Sequence, residues 1–98
     1  MKKKFKRILS IVSLTTILSS VAFASVEVDG GVWSYGGVHK PNDWGAFSNY
    51  YHPSRYHHSR VVRGRDSQSD TAYAGAGKTS QAFINTKIGE KEYFYYGF

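Results

Sequence analysis

Glu92-Tyr93-Phe94-Tyr95-Tyr96-Gly97-Phe98 decides the fold class. Successive side chains of a strand point to opposite faces, so Phe94, Tyr96 and Phe98 share one side while Tyr93 and Tyr95 share the other. Aromatic residues suit a pleated, half-buried surface. Rings on both sides predict a strand covered twice, or one that covers a core and shows its other face to a ligand or partner.

Working outward, short runs of the same kind recur. Gln81 to Ile84 precedes the final run across a polar connection containing Gly89. Ala72 to Ala76 is small and apolar, and Arg65 to Thr71 is polar. Tyr56 to Arg63, centred on Val61-Val62, is closed by Gly64. Phe47 to His52 is ended by Pro53. Lys40-Pro41-Asn42-Asp43-Trp44-Gly45 carries turn-forming residues and reads as a loop. Val32-Trp33-Ser34-Tyr35 is bounded by Gly30-Gly31 and Gly36-Gly37, and Val26 and Val28 alternate with Glu27 and Asp29. Short strands with turn signals every 8–12 residues or so read as an all-β sandwich or small barrel. No helical period is sustained beyond residue 24, no leucine occurs there, and neither a repeat nor a second domain shows.

The N-terminal stretch has a different character. Lys2, Lys3, Lys4, Lys6 and Arg7 precede an apolar run from Ile8 to about Val21, followed by Ala22-Phe23-Ala24. This is the pattern of a Sec-type signal peptide, residues 1–24, cut after Ala24. The run is short for a membrane span and is interrupted by hydroxyl residues. The working domain is then 25–98, acting outside the cell. Five basic residues leave with the leader, so eight Lys and Arg face seven Asp and Glu. That near-neutral balance argues against nucleic acid as a partner.

The chain contains no cysteine, which excludes a disulfide scaffold, a thiolate metal site and a cysteine nucleophile. A domain this small is marginal alone. Its rings, roughly 150–250 Å² of burial each, are the expected source of cohesion.

Chemical motifs are sparse. Gly75-Ala76-Gly77-Lys78-Thr79 resembles the end of a phosphate loop, but Ala72 stands where its first glycine belongs, so it reads as a turn. Gly30-Gly31 reads as a turn rather than a double-glycine processing site. His39, His52, His57 and His58 lack metal-site spacing and a nearby carboxylate, so neither metal nor cofactor is expected. No catalytic constellation appears, and no enzyme is expected. The one local charge asymmetry runs from His52 to Arg65: Arg55, Arg60, Arg63 and Arg65 with no acid among them. Guanidinium forks pair bidentately with phosphate, and Tyr50, Tyr51 and Tyr56 suit stacking on sugar rings or a place at a lipid headgroup boundary. The alternative is a solvated strand edge whose charge discourages pairing.

Three blocks together are similar to one known family. Gly31-Val32-Trp33-Ser34-Tyr35-Gly36, then Ser48-Asn49-Tyr50-Tyr51-His52-Pro53-Ser54-Arg55-Tyr56-His57 with Val61-Val62, then Glu90-Lys91 and Phe94-Tyr95-Tyr96-Gly97-Phe98 resemble the lactococcin 972 bacteriocins. The resemblance implies a β-sandwich of two small antiparallel sheets and a homodimer. It also implies a secreted antibacterial protein of Gram-positive bacteria that acts on the wall precursor lipid II and blocks septum formation. Such a protein implies an immunity or export system in its producer. Trp33, Ser48, Val61, Phe94 and Tyr96 are carried over as motif positions. Tyr50, His52, Arg55, His57, Arg60 and Arg63 are the expected contacts to lipid II or another anionic envelope component. The family tends to place a tryptophan in the region that here reads Ala76-Gly77-Lys78-Thr79. A non-lethal exported module that binds wall polymer or a surface protein is the alternative function.

Overall fold

The computed structural model describes residues 21–98. The basic and apolar segment 1–20, and with it most of the expected signal peptide, lies outside the described residues. Seven strands and no helix occur among those described: β1 Val21–Val28, β2 Gly31–Lys40, β3 Asp43–His52, β4 His57–Arg63, β5 Ser69–Ala74, β6 Lys78–Asn85 and β7 Glu92–Gly97. They form two antiparallel sheets, a four-stranded one in the order β1-β2-β3-β6 and a three-stranded one in the order β5-β4-β7. The fold is a β-sandwich.

Each turn follows from its residues. Asp29 and Gly30 both have positive φ, 53° and 87°, the pair of left-handed residues that a tight hairpin matching strand twist requires. The break therefore falls one residue earlier than Gly30-Gly31 suggests. Gly31 instead begins β2, where a Cβ would strike the Tyr51 carbonyl oxygen and come within 2.9 Å of the Tyr50 ring. Gly36-Gly37 does not end β2, which runs on to Lys40. The expected loop 40–45 shrinks to Pro41-Asn42, since Lys40 pairs with Asp43 and His39 with Trp44. His39 and Trp44 stack at 4.5 Å, so rings hold this hairpin straight where composition suggested irregularity. Gly75-Ala76-Gly77 turns into a strand, with the Gly77 N–H donating to the His52 carbonyl at 2.8 Å. β6 and β7 lie in different sheets and do not pair.

Register sorts the side chains. Trp33 pairs with Tyr50 and Tyr35 with Ser48 across β2 and β3, and all four face the three-stranded sheet. From that sheet, β7 offers Phe94 and Tyr96, and β4 offers His57, Ser59 and Val61. The interior has two halves. Ala46, Val61 and Ala82 form a tight aliphatic floor, with Ala72, Ile84 and Phe94 against it. Beside it the Tyr96 ring lies 4.8 Å from Trp33 and 4.7 Å from Tyr50, and Phe94 lies 5.1 Å from Tyr35. Trp33 Nε1–H donates to Ser48 Oγ at 3.0 Å, and the Ser48 hydroxyl donates to the Tyr95 carbonyl at 2.9 Å. That relay crosses between the sheets and satisfies the buried serine. Tyr50 OH donates to the Val28 carbonyl at 2.8 Å, tying β3 to β1. Ala76, Lys78 and Thr79 are exposed, so the region without a tryptophan leaves no hole in the core.

β1 has two parts. Val21–Ala24 pairs with Val38–Tyr35, and Ser25–Val28 with Ser34–Gly31. Cleavage after Ala24 would leave only the second part.

Tyr96→Ala is expected to cost about 3–5 kcal/mol, most of the stability of so small a domain; urea unfolding measures it. Burial, then the hydrogen bond to Asp29 at 2.7 Å, push the Tyr96 phenol up to about 12. Its contribution to stability is full below the ordinary tyrosine range, around 10, and is lost as pH rises through about 12. Alkaline unfolding followed by circular dichroism should show that loss, and Asp29→Asn should move it to lower pH.

Candidate functional site

Alternation along β4 splits the basic segment. His57, Ser59 and Val61 point inward and are buried, while His58, Arg60 and Val62 point out. On β3, Tyr50 and His52 also turn inward, so three of the six expected contact residues have almost no surface to offer a ligand: Tyr50 and His57 are 0% exposed and His52 is 4% exposed.

Each buried ring has a structural task. His52 Nδ1 accepts the backbone N–H groups of Ser54 and Arg55, both at 3.1 Å. That leaves Nε2 as the protonated nitrogen, which donates to the Asp29 carbonyl at 3.1 Å. One imidazole thus fastens the 53–56 connection to the β1–β2 turn. His57 Nδ1–H donates to the Arg55 carbonyl at 2.7 Å, and its ring meets Tyr50 edge-on at 5.5 Å. His57 Nε2 is buried without a hydrogen-bond partner.

The arginines also part company. Arg63 engages its fork within the chain, at the surface: Nε and Nη2 donate to both carboxylate oxygens of Asp66 at 2.9 Å, and Nη1 donates to the Asn85 carbonyl at 3.0 Å. It clasps the β4–β5 turn to the end of β6, so its fork is already engaged within the chain. Arg65 Nε is paired with Glu90 at 2.6 Å. Arg55 is exposed, with its Cζ 3.6 Å above the Phe98 ring. Arg60 is exposed and forms no ion pair among the described residues.

Arg60 sits in the middle of a distinct surface. Register places His58 between Tyr73 and Gly97, Arg60 between Thr71 and Tyr95, and Val62 between Ser69 and Tyr93. The outer face of the three-stranded sheet is thus a cation and an imidazole flanked by tyrosines. Tyr73, Tyr93 and Tyr95 are 61%, 48% and 49% exposed, and Tyr56 is 65% exposed, its ring stacked on Tyr73 at 6.0 Å and 9°. The solvent face of an antiparallel sheet is normally polar. Exposed rings of this size together make a patch of a few hundred Å², the scale that marks a binding surface. No acid lies on this face. His58 lies over Gly97, where a Cβ would come within 2.8 Å of the imidazole, with its ring 5.5 Å from Tyr73.

Of the expected contacts, the structure brings only Arg60 to this face. Tyr73, Tyr93, Tyr95 and His58 were not among them. The alternating rings of the last strand signalled Tyr93 and Tyr95, but alternation does not say which side faces out. Tyr73, alone among small residues, gave no signal. Among the described residues no three His, Asp or Glu groups gather where a metal could be held.

The family model described as Bacteriocin (Lactococcin_972) matches residues 29–95. The solved structure of Lactococcin 972 resembles this one with a TM-score of 0.57 at 31% identity, covering 69% of this chain and 97% of that one. No curated protein sequence matches the chain.

The hydrogen bonds from Arg63 hold the Asp66 carboxyl down to about 2. What this clasp contributes is present above the ordinary carboxylate range and is lost as pH falls to about 2. An NMR titration of Asp66 should therefore show a midpoint near 2, returning toward 4 in Arg63→Gln; a midpoint near 4 in the unaltered protein contradicts the clasp.

Proposed function

The chain belongs to the lactococcin 972 family of bacteriocins, and from that premise we propose that it is a secreted antibacterial protein that captures the wall precursor lipid II and thereby blocks septum formation. Export follows the Sec-type leader, with cleavage after Ala24. Lipid II offers a pyrophosphate, and one guanidinium fork can hold two of its oxygens at once.

The observation that carries this reading is Arg60, an unpaired guanidinium at the centre of an acid-free aromatic face. A guanidinium spent on a neighbouring carboxylate, as in Arg63, has no comparable attraction left for a phosphate. Arg55, exposed over Phe98, is the second cation free to contribute. A second copy of the chain is a further proposed partner, which would add to the stability of a small domain.

Purified exported protein spotted on a panel of Gram-positive bacteria should inhibit growth, and added lipid II should relieve the inhibition. Arg60→Gln should weaken lipid II binding about tenfold, the loss of one charge-assisted hydrogen-bond pair, and flatten its salt dependence. Folded protein that inhibits nothing contradicts the antibacterial reading. Inhibition that lipid II leaves unchanged contradicts the receptor.

A further inference from the structure

We propose that the outer face of the β5-β4-β7 sheet is a platform for an acidic amino-sugar chain, with sugar rings laid on Tyr73, Tyr93 and Tyr95 and an acidic substituent held by Arg60. The proposal rests on the envelope-binding reading above and names the part of the envelope that this face takes.

The chemistry of the face selects the occupant. Its large side chains are tyrosines, flat and apolar on their faces and hydroxylated at their tips. Val62, half-buried, is the one branched aliphatic residue on it. A sugar ring has the complementary make-up, with C–H groups on its faces and hydroxyls around its rim. Rings with two rotatable bonds also lose little entropy when they become contact surface.

Spacing points to a chain of rings rather than a single one. Tyr93 and Tyr95 are two residues apart on one strand, about 7 Å, and Tyr73 stands two strands away and level with Gly97, about 12 Å from Tyr95. Separate platforms on a flat sheet suit successive units of a polymer. A single planar ligand would want a slot, which a flat sheet does not provide.

The charge is matched to an anion. Arg60 lies between the tyrosine-bearing strands, paired with Thr71 on one side and Tyr95 on the other. With no carboxylate on the face, the guanidinium is available to a carboxylate or phosphate carried by the sugars. His58, pinned over Gly97, adds ring nitrogens beside it.

The same placement disfavours other occupants. In a two-fold pairing of identical faces, the central residues meet their own copies, which would set Arg60 against Arg60. A single arginine is also little attraction for an anionic lipid surface, which recognises clusters of basic residues.

The test is calorimetric titration of the exported protein with two probes, a neutral N-acetylglucosamine hexamer and soluble wall glycan strands bearing muramic acid carboxylates. Both should bind, the acidic chain more tightly. Tyr73→Ala and Tyr95→Ala should each weaken both by about tenfold, as loss of one stacking ring does elsewhere. Tyr95→Phe should retain binding, and Arg60→Gln should abolish only the preference for the acidic chain. Urea unfolding confirms that each variant is folded. The proposal is overturned if folded protein binds neither probe, if the alanine variants bind like the unaltered protein, or if they change only the sedimentation coefficient. Lipid II binding and growth inhibition without any sugar-chain binding would remove this proposal alone; sugar-chain binding without inhibition would remove the antibacterial reading alone.

Discussion

Tyr96 seated between Trp33 and Tyr50 is the contact on which the rest depends. Two sheets of this size, with no disulfide and no leucine beyond residue 24, have only a small aliphatic floor besides their rings to hold them face to face. Trp33 and Tyr50 are cross-strand partners, so together they make a notch that one ring from the opposite sheet can fill. Its hydroxyl then reaches Asp29 in the β1–β2 turn. Tilted ring pairs add about 0.5–1.5 kcal/mol each beyond area, and the Trp33–Ser48–Tyr95 relay fixes the same strands by direction as well as by contact.

The exposed face follows from that seating. Once Tyr96 and Phe94 are committed inward, the period of two forces Tyr93 and Tyr95 outward. β4 pairs with β7 in a register that sets Arg60 opposite Tyr95. The interior and the outer surface are therefore one decision, made by which rings of the last strand meet β2 and β3.

Much of this was legible in the sequence. The final strand, the all-β class and the two-sheet arrangement came from ring alternation and the family resemblance. What misled was treating the stretch from His52 to Arg65 as one surface. A strand divides such a run between two faces, so His57 went inside while His58 and Arg60 went out. His52 and His57 became fasteners for backbone groups that no sequence pattern announces. Arg63 is engaged by Asp66, three residues on, through a turn whose geometry depends on Ser67 at a φ of 61°. Gly36-Gly37 and Pro41-Asn42 looked like breaks because composition cannot see the His39–Trp44 stack that carries the hairpin past them.

A protein assembled this way separates its two tasks cleanly. His52, His57 and the paired arginines hold the sandwich together, and the outer tyrosines with Arg60 are left exposed for the proposed contact with the envelope. The most direct test is an NMR map of amide shifts on adding lipid II to the exported, isotope-labelled protein. The account predicts that the largest changes cluster at 58–60, 71–73 and 93–95 on the three-stranded sheet. Changes confined instead to the outer face of the four-stranded sheet, around Val32 and Tyr51, would contradict it.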